Sequence, residues 1–283
     1  MVVDFHTHIF PEWLRSQRER YVQRDQTFGV LYASTKARLA TADDLVLAMD
    51  EDGVDVAVVM GIGWTDFGLA RDTNDYLIES VLRYPKRIVG FAGVSPAWGD
   101  ECVREADRCA RAGLLGVGEL HPDSQEFDMG DKRTMTPLME VVQQHGMIFA
   151  THSSEPVGHL YQGKGSTTPK VLWSLVQNFP NVTIVCAHWG GGLPFYALMP
   201  EVANSLANVY FDTAASPFLY DANVFPTVAS LVGADRILLG SDFPLLRARR
   251  LVAQIRDSSM TEEEQAAVLG GNGAKLLKLD EHG

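Results

Sequence analysis

Short runs of β-branched and apolar residues recur along the chain at residues 2–6, 54–60, 88–94, 115–120, 147–151, 182–187, 208–212 and 236–241. Runs this apolar suit strands covered on both faces, as in a parallel sheet whose crossovers are helices. The intervening segments carry helical periodicity. Thr41-Ala42-Asp43-Asp44 opens one helix with an acidic first turn, and Pro137-Leu138-Met139-Glu140-Val141-Val142 leads another toward His145-Gly146. Eight strand–helix alternations in about 250 residues predict an α/β fold, a (β/α)8 barrel in one domain spanning residues 1–283. A doubly wound open sheet is the alternative. Residues 11–40, with Trp13, Arg15, Arg18, Arg20, Tyr21 and Phe28, interrupt the first unit and read as a lid or insertion. From Thr261 to Leu279, a Thr261-Glu262-Glu263-Glu264 capping signal and a break at Gly270-Gly271-Asn272-Gly273 predict a closing pair of helices.

The strand map gives the ionisable residues their places. His6 and His8 end the first strand, Glu119 the fourth, and His152, His188 and Asp242 fall just past the fifth, sixth and eighth. Strand alternation puts Asp4, His6 and His8 on one face and Val3, Phe5 and Thr7 on the other. In barrels of this kind the carboxyl ends of the strands ring one face, where sites are built, so six metal-ligand candidates are expected to converge. Taken singly, each has an ordinary explanation: a core histidine, an N-cap at Asp242, an arginine partner for Glu119. Their shared position at strand ends favours a metal site. The glycines after His188 would allow close backbone approach to something bound. His145, at a helix end, suits the helix dipole, and His282 lies in the C-terminal tail; neither is assigned a catalytic role.

Bulk properties narrow the partners. Of 283 residues 46% are hydrophobic and 21% charged, enough for a large core without a disorder signature. A net charge of −12, from 36 acidic and 24 basic residues, argues against nucleic acid and anionic membrane surfaces. Cys102, Cys109 and Cys186 are too few and odd in number for a disulfide framework. The chain has no apolar stretch of the roughly 18 residues a membrane span needs, and no basic, apolar leader precedes Asp4, so the cytoplasm is the expected compartment.

His6-Thr7-His8, His152, His188 and Gly240-Ser241-Asp242, in this order, resemble the motifs of the amidohydrolase superfamily over nearly the whole chain. The resemblance is to the amidohydrolase-related branch that also holds aminocarboxymuconate-semialdehyde decarboxylase. It implies a divalent metal, with zinc the first choice and Mn²⁺, Fe²⁺ or Ni²⁺ as substitutes. Two ligand arrangements stay open. If Glu119 bridges two ions, His6, His8 and Asp242 hold one and His152 and His188 the other. Otherwise one ion takes His6, His8, His152 and Asp242, leaving His188 to act on substrate.

The leading expectation is hydrolysis of a small-molecule amide, cyclic amide, lactone or ester by a metal-activated water. Asp242 would carry the proton, and His188 or the metal would polarise the carbonyl. Nonoxidative decarboxylation of an aromatic or unsaturated acid is the enzymatic alternative, and a metal-bearing binding protein without turnover is the third reading. Substrate contacts are expected from His121, His159, Tyr161 and Lys164, with Lys164 meeting a carboxylate, and from an apolar wall at Trp64 and Phe67. A homodimer is expected only by analogy with other barrels.

Overall fold

The computed structural model describes residues 1–279, so His282 lies outside the described residues. Eight parallel strands follow one another in sequence order: β1 (Val3–Thr7), β2 (Val56–Met60), β3 (Ile88–Ala92), β4 (Gly116–Leu120), β5 (Ile148–Thr151), β6 (Ile184–Cys186), β7 (Val209–Asp212) and β8 (Ile237–Leu238). The ring closes beyond the short β8, where Phe5 N donates to Leu239 O at 2.7 Å and His8 N to Phe243 O at 2.7 Å. Helices between the strands make this a (β/α)8 barrel. β8 ends earlier than the run at 236–241 predicts. Gly240 and Ser241 follow it, and Asp242 takes a left-handed φ of 66° that a continuing ladder does not accommodate.

Two apolar layers hold the barrel. Outward-facing Ala57, Val59, Val117, Phe149, Ile184 and Phe211 pack beneath the helices, whereas Val3, Phe5, Val56, Val58, Met60, Phe91, Ile148, Val185 and Leu238 fill the lower lumen. At about 25 cal/mol per Å² such burial is the main stabilising contribution. Ala274 and Leu277 of the last helix (Asn272–Leu277) close the lumen from below. The tail glycines do not break this helical segment, contrary to expectation. They lie in and after a π-helical turn, Ala267–Gly271, and allow close approach: a Cβ on Gly270 would sit 2.4 Å from Met1 O.

One expectation about β1 is corrected. Asp4 pairs with Ala57 and Thr7 with Val59, so Phe5 and His6 together oppose the single residue Val58. This β-bulge turns both into the lumen and sends Asp4 to the other face. There Asp4 accepts hydrogen bonds from Ser241 N (2.8 Å) and Ser241 Oγ (2.5 Å). Burial, partly offset by these bonds, pushes its carboxyl up to about 6.

The segment after β1 forms three short helices, Glu12–Ser16, Arg18–Arg24 and Gln26–Tyr32. Asp25 ties them to the barrel, accepting from Phe28 N, Thr65 N and Asp66 N, each at 2.8 Å. Phe10, Leu14, Phe28 and Trp64 form an apolar cluster under these helices, and Phe67 packs edge-on against Trp98. Trp64 and Phe67 therefore pack locally; neither lines the cavity described below. The helix expected from Thr41 opens with a capping box, in which Asp44 is the partner of Thr41. The three cysteines are buried and unpaired, and burial pushes the Cys102 thiol up to about 12. His145 bonds Asp107 at 2.8 Å, away from the barrel mouth. Among the described residues no helix is long and apolar enough to cross a membrane.

Candidate metal centre

Above the apolar plug, side chains from five strand ends meet. His6 and His8, turned inward by the bulge and the residue after it, bring their Nε2 atoms to 3.0 Å. Glu119, the fourth residue of β4, reaches both at 3.5 and 3.7 Å through Oε2. Its Oε1 accepts from His152 Nδ1 at 3.0 Å and lies 3.3 Å from His188 Nε2. Asp242 Oδ1 lies 3.6 Å from His8 Nε2 and 3.9 Å from His6 Nε2. Two groups of ligand atoms, His6–His8–Glu119 and Glu119–His152–His188, are compact enough to hold a cation, and Glu119 belongs to both.

The remaining ring nitrogens show what the arrangement suits. His6 Nδ1 donates to Asp212 Oδ2 (2.8 Å), His8 Nδ1 to Met60 O (3.2 Å) and His188 Nδ1 to Ala214 O (3.2 Å). With Nδ1 occupied by an acceptor, each ring directs Nε2 inward, the pattern of histidines that ligate a metal. His152 is turned the other way: Nδ1 faces Glu119, and Nε2 accepts from Ser154 Oγ at 3.3 Å. The donor set of imidazole nitrogens and carboxylate oxygens, without thiolate, fits a divalent ion of the Zn²⁺ or Mn²⁺ type.

Burial and mutual charge divide the histidines. Burial disfavours a proton on His6 and His188, yet Asp212 and Glu119 hold His6 well above its ordinary pKa, and Glu119 raises His188 to about 9. His8 and His152 are pushed down to about 4, by burial first and then by the charge of His6 on the one and His121 on the other. Burial would raise Glu119, but the His121 and His6 charges hold it well below the carboxylate range. A protonated imidazole beside an ionised carboxylate is thus the resting charge pattern without a cation.

Over this floor opens a cavity of about 490 Å³, lined by His8, Glu119, His121, His152, His188 and Asp242 below. Leu31, Tyr32, Phe218, Leu219 and Leu245 form its apolar walls, while Lys36 and Arg38 bring positive charge to it. Of the expected substrate contacts, His121, His159 and Tyr161 line this space. His121 also stacks on His152 at 4.2 Å and approaches Glu119 Oε2 at 3.4 Å. Lys164 does not line it. Its Nζ donates to Val157 O (2.7 Å) and His159 O (3.0 Å), so the ammonium secures its own loop. The glycines after His188 serve the protein's own packing: a Cβ on Gly191 would lie 2.3 Å from Ser154 O.

Sequence reasoning missed Asp212, although its position at the end of β7 was the signal used for the other ligands. It also missed Tyr32, Lys36 and Arg38. Tyr32 ends the third helix of the inserted segment and Lys36 and Arg38 follow it, positions that carried no strand-end signal, and only the packing of that segment brings them to the cavity.

Comparison with known proteins places this geometry. The amidohydrolase family profile matches residues 3–279. A 2-amino-3-carboxymuconate-6-semialdehyde decarboxylase of Dictyostelium discoideum is 22% identical, over 98% of this chain and 92% of its own. A gamma-resorcylate decarboxylase of Polaromonas sp. is 24% identical over 75% of this chain and 76% of its own. The crystal structure of a dihydroxybenzoic acid decarboxylase from Polaromonas sp., with bound manganese and the inhibitor 2-nitroresorcinol, superposes with a TM-score of 0.76 at 20% identity, covering 99% of this chain and 97% of that one. These relatives overturn the expectation of hydrolysis: their named reaction is loss of a carboxyl group, the alternative weighed from the sequence. The error has a physical source, because the same imidazole–carboxylate floor serves either chemistry.

Proposed function

The chain belongs to the amidohydrolase family, and we propose that within it the protein is a metal-dependent nonoxidative decarboxylase of a small aromatic or unsaturated carboxylic acid. The observation that carries this reading is the junction of a charged floor, centred on Glu119 and four histidines, with apolar walls from Leu31, Phe218, Leu219 and Leu245. A flat unsaturated acid suits both parts: its carboxyl end meets the floor and its carbon skeleton the walls.

His6, His8, Glu119 and Asp242 would hold the cation, with His152 and His188 beside it, and manganese in the Polaromonas neighbour favours Mn²⁺ over zinc. Bound there, the cation would fix the substrate's oxygens and stabilise negative charge building on them. Decarboxylation breaks the bond between the carboxylate carbon and the skeleton; carbon dioxide leaves, and the electron pair left on the skeletal carbon takes up a proton. His188 is assigned as the proton donor: Ala214 O holds its Nδ1, and its Nε2 faces the cavity floor 3.3 Å from Glu119. Tyr32, half-buried in the cavity wall, is kept a neutral phenol by desolvation and by the negative charges of Asp242 and Glu119. Lys36 and Arg38 favour an acidic substrate electrostatically.

The test is carbon dioxide release by the manganese-loaded protein from a panel of hydroxybenzoates and muconate-type acids. Release that stops on chelation supports the reading. His188→Asn and Asp242→Asn, each with metal content measured, should lower turnover by about 10²–10⁴-fold. A manganese-replete native protein that releases no carbon dioxide from any member of the panel overturns it.

A further inference from the structure

Asp212 touches no part of the cavity, yet it reaches both halves of its floor. It ends β7, is fully buried, and uses each oxygen differently. Oδ2 accepts from His6 Nδ1 at 2.8 Å, while Oδ1 accepts from the backbone N of His188 (2.9 Å) and of Ala214 (3.0 Å). We infer that Asp212 is a positioning residue whose single carboxylate sets the tautomer and ring pose of His6 and, at the same time, the backbone pose of His188. The inference rests on the metal reading above and extends it to a group that is not a ligand.

The first half follows from donor chemistry. An ionised carboxylate accepts and cannot donate, so the His6 nitrogen facing it carries the proton, and Nε2 is the nitrogen left to face His8 and Glu119. The second half follows from backbone geometry. His188 sits at φ 54°, ψ 49° and Trp189 at φ 58°, ψ 26°, a left-handed pair without glycine at either position. Such a conformation persists only where its surroundings hold it, and Oδ1 grips the first N–H of this pair.

Asp212→Asn tests both halves, because an amide offers one acceptor oxygen where three N–H groups need two. If the oxygen stays with the His188 and Ala214 backbone, the amide NH₂ faces His6 Nδ1 and drives the proton to Nε2, onto the metal-facing nitrogen. If the amide flips, His6 is satisfied and the His188 turn loses its acceptor. Either way the Mn²⁺ dissociation constant, measured per folded molecule by equilibrium titration, should rise about 10–100-fold. A role confined to stability would leave it unchanged. Folded Asp212→Asn protein that binds Mn²⁺ within about twofold of native overturns the inference.

The native chain provides a second arm that does not depend on the variant folding. Loaded with NMR-active cadmium and labelled in its histidine nitrogens, it should show His6 coupled to the metal through Nε2 with a proton on Nδ1. Coupling through Nδ1 overturns the inference while leaving the metal reading intact. A native chain that retains no divalent ion overturns the metal reading and this inference with it.

Discussion

The two ends of the barrel lumen are built by the same eight strands and could hardly differ more. Below, Phe5 meets Phe91 edge-to-face at 5.9 Å among Val58, Met60, Ile148 and Leu238. Above, His6, the next residue in the chain, lies among Glu119, His8 and Asp212 with no exposed surface. Apolar burial stabilises the lower half outright. The upper half buries ionisable groups, which is costly unless each finds a partner. The plug therefore holds rigid a cluster that would not assemble by itself, and Asp212, Met60 O and Ala214 O fix its rings from behind.

This contrast breaks or sharpens through variants at each end. Glu119→Gln removes the carboxylate common to both ligand groups, and should weaken Mn²⁺ binding by more than about 100-fold and turnover further still. Equilibrium dialysis with metal analysis checks this, and retention of the ion at native affinity would break the contrast from above. Phe5→Ala acts from below. It should cost about 3–5 kcal/mol in urea unfolding, with Mn²⁺ affinity of the folded fraction unchanged. Metal affinity falling in step with stability would show that the two halves are one cooperative unit.

Smaller effects follow from pH and from a remote control. Without a cation, His6 keeps a second proton that a cation must displace, so Mn²⁺ affinity should rise with pH until that ring is neutral in the free site. Each proton displaced contributes about tenfold per pH unit below that point. Titrations between weakly acidic and neutral pH measure the slope, and a flat profile would mean that His6 is already neutral in the free site. Thr41→Ala removes the capping box of the helix Ala42–Asp52. It should lower stability by about 1 kcal/mol and leave Mn²⁺ binding untouched, as thermal and metal titrations together would show.

Much of the site was legible because its signals are local. A histidine or acid just past an apolar run needs only strand periodicity and the barrel rule to be placed at the mouth. Other features were not. Alternation assigned Asp4 to the face of His6 and His8, and only pairing with β2 reveals the bulge that separates them. Lys164 looked free to meet a substrate until its loop folded back and supplied two carbonyls. Gly270 and Gly273 looked like helix breakers, yet they serve close packing against Met1 and Val3.

The order of apolar runs and turns determined by itself that this chain closes into a parallel barrel and that imidazoles and carboxylates gather at one mouth. Period and strand-end position are properties of neighbouring residues, and they survive whatever the rest of the chain does. Tertiary structure alone decided which ring nitrogen faces inward, which carboxylate is shared, and which cations of the inserted segment reach the cavity. Those depend on register and on partners far apart in the chain, 206 residues between His6 and Asp212 and 237 between Asp4 and Ser241. No local pattern encodes such a distance, because a shift of one residue in strand pairing sends a side chain to the opposite face.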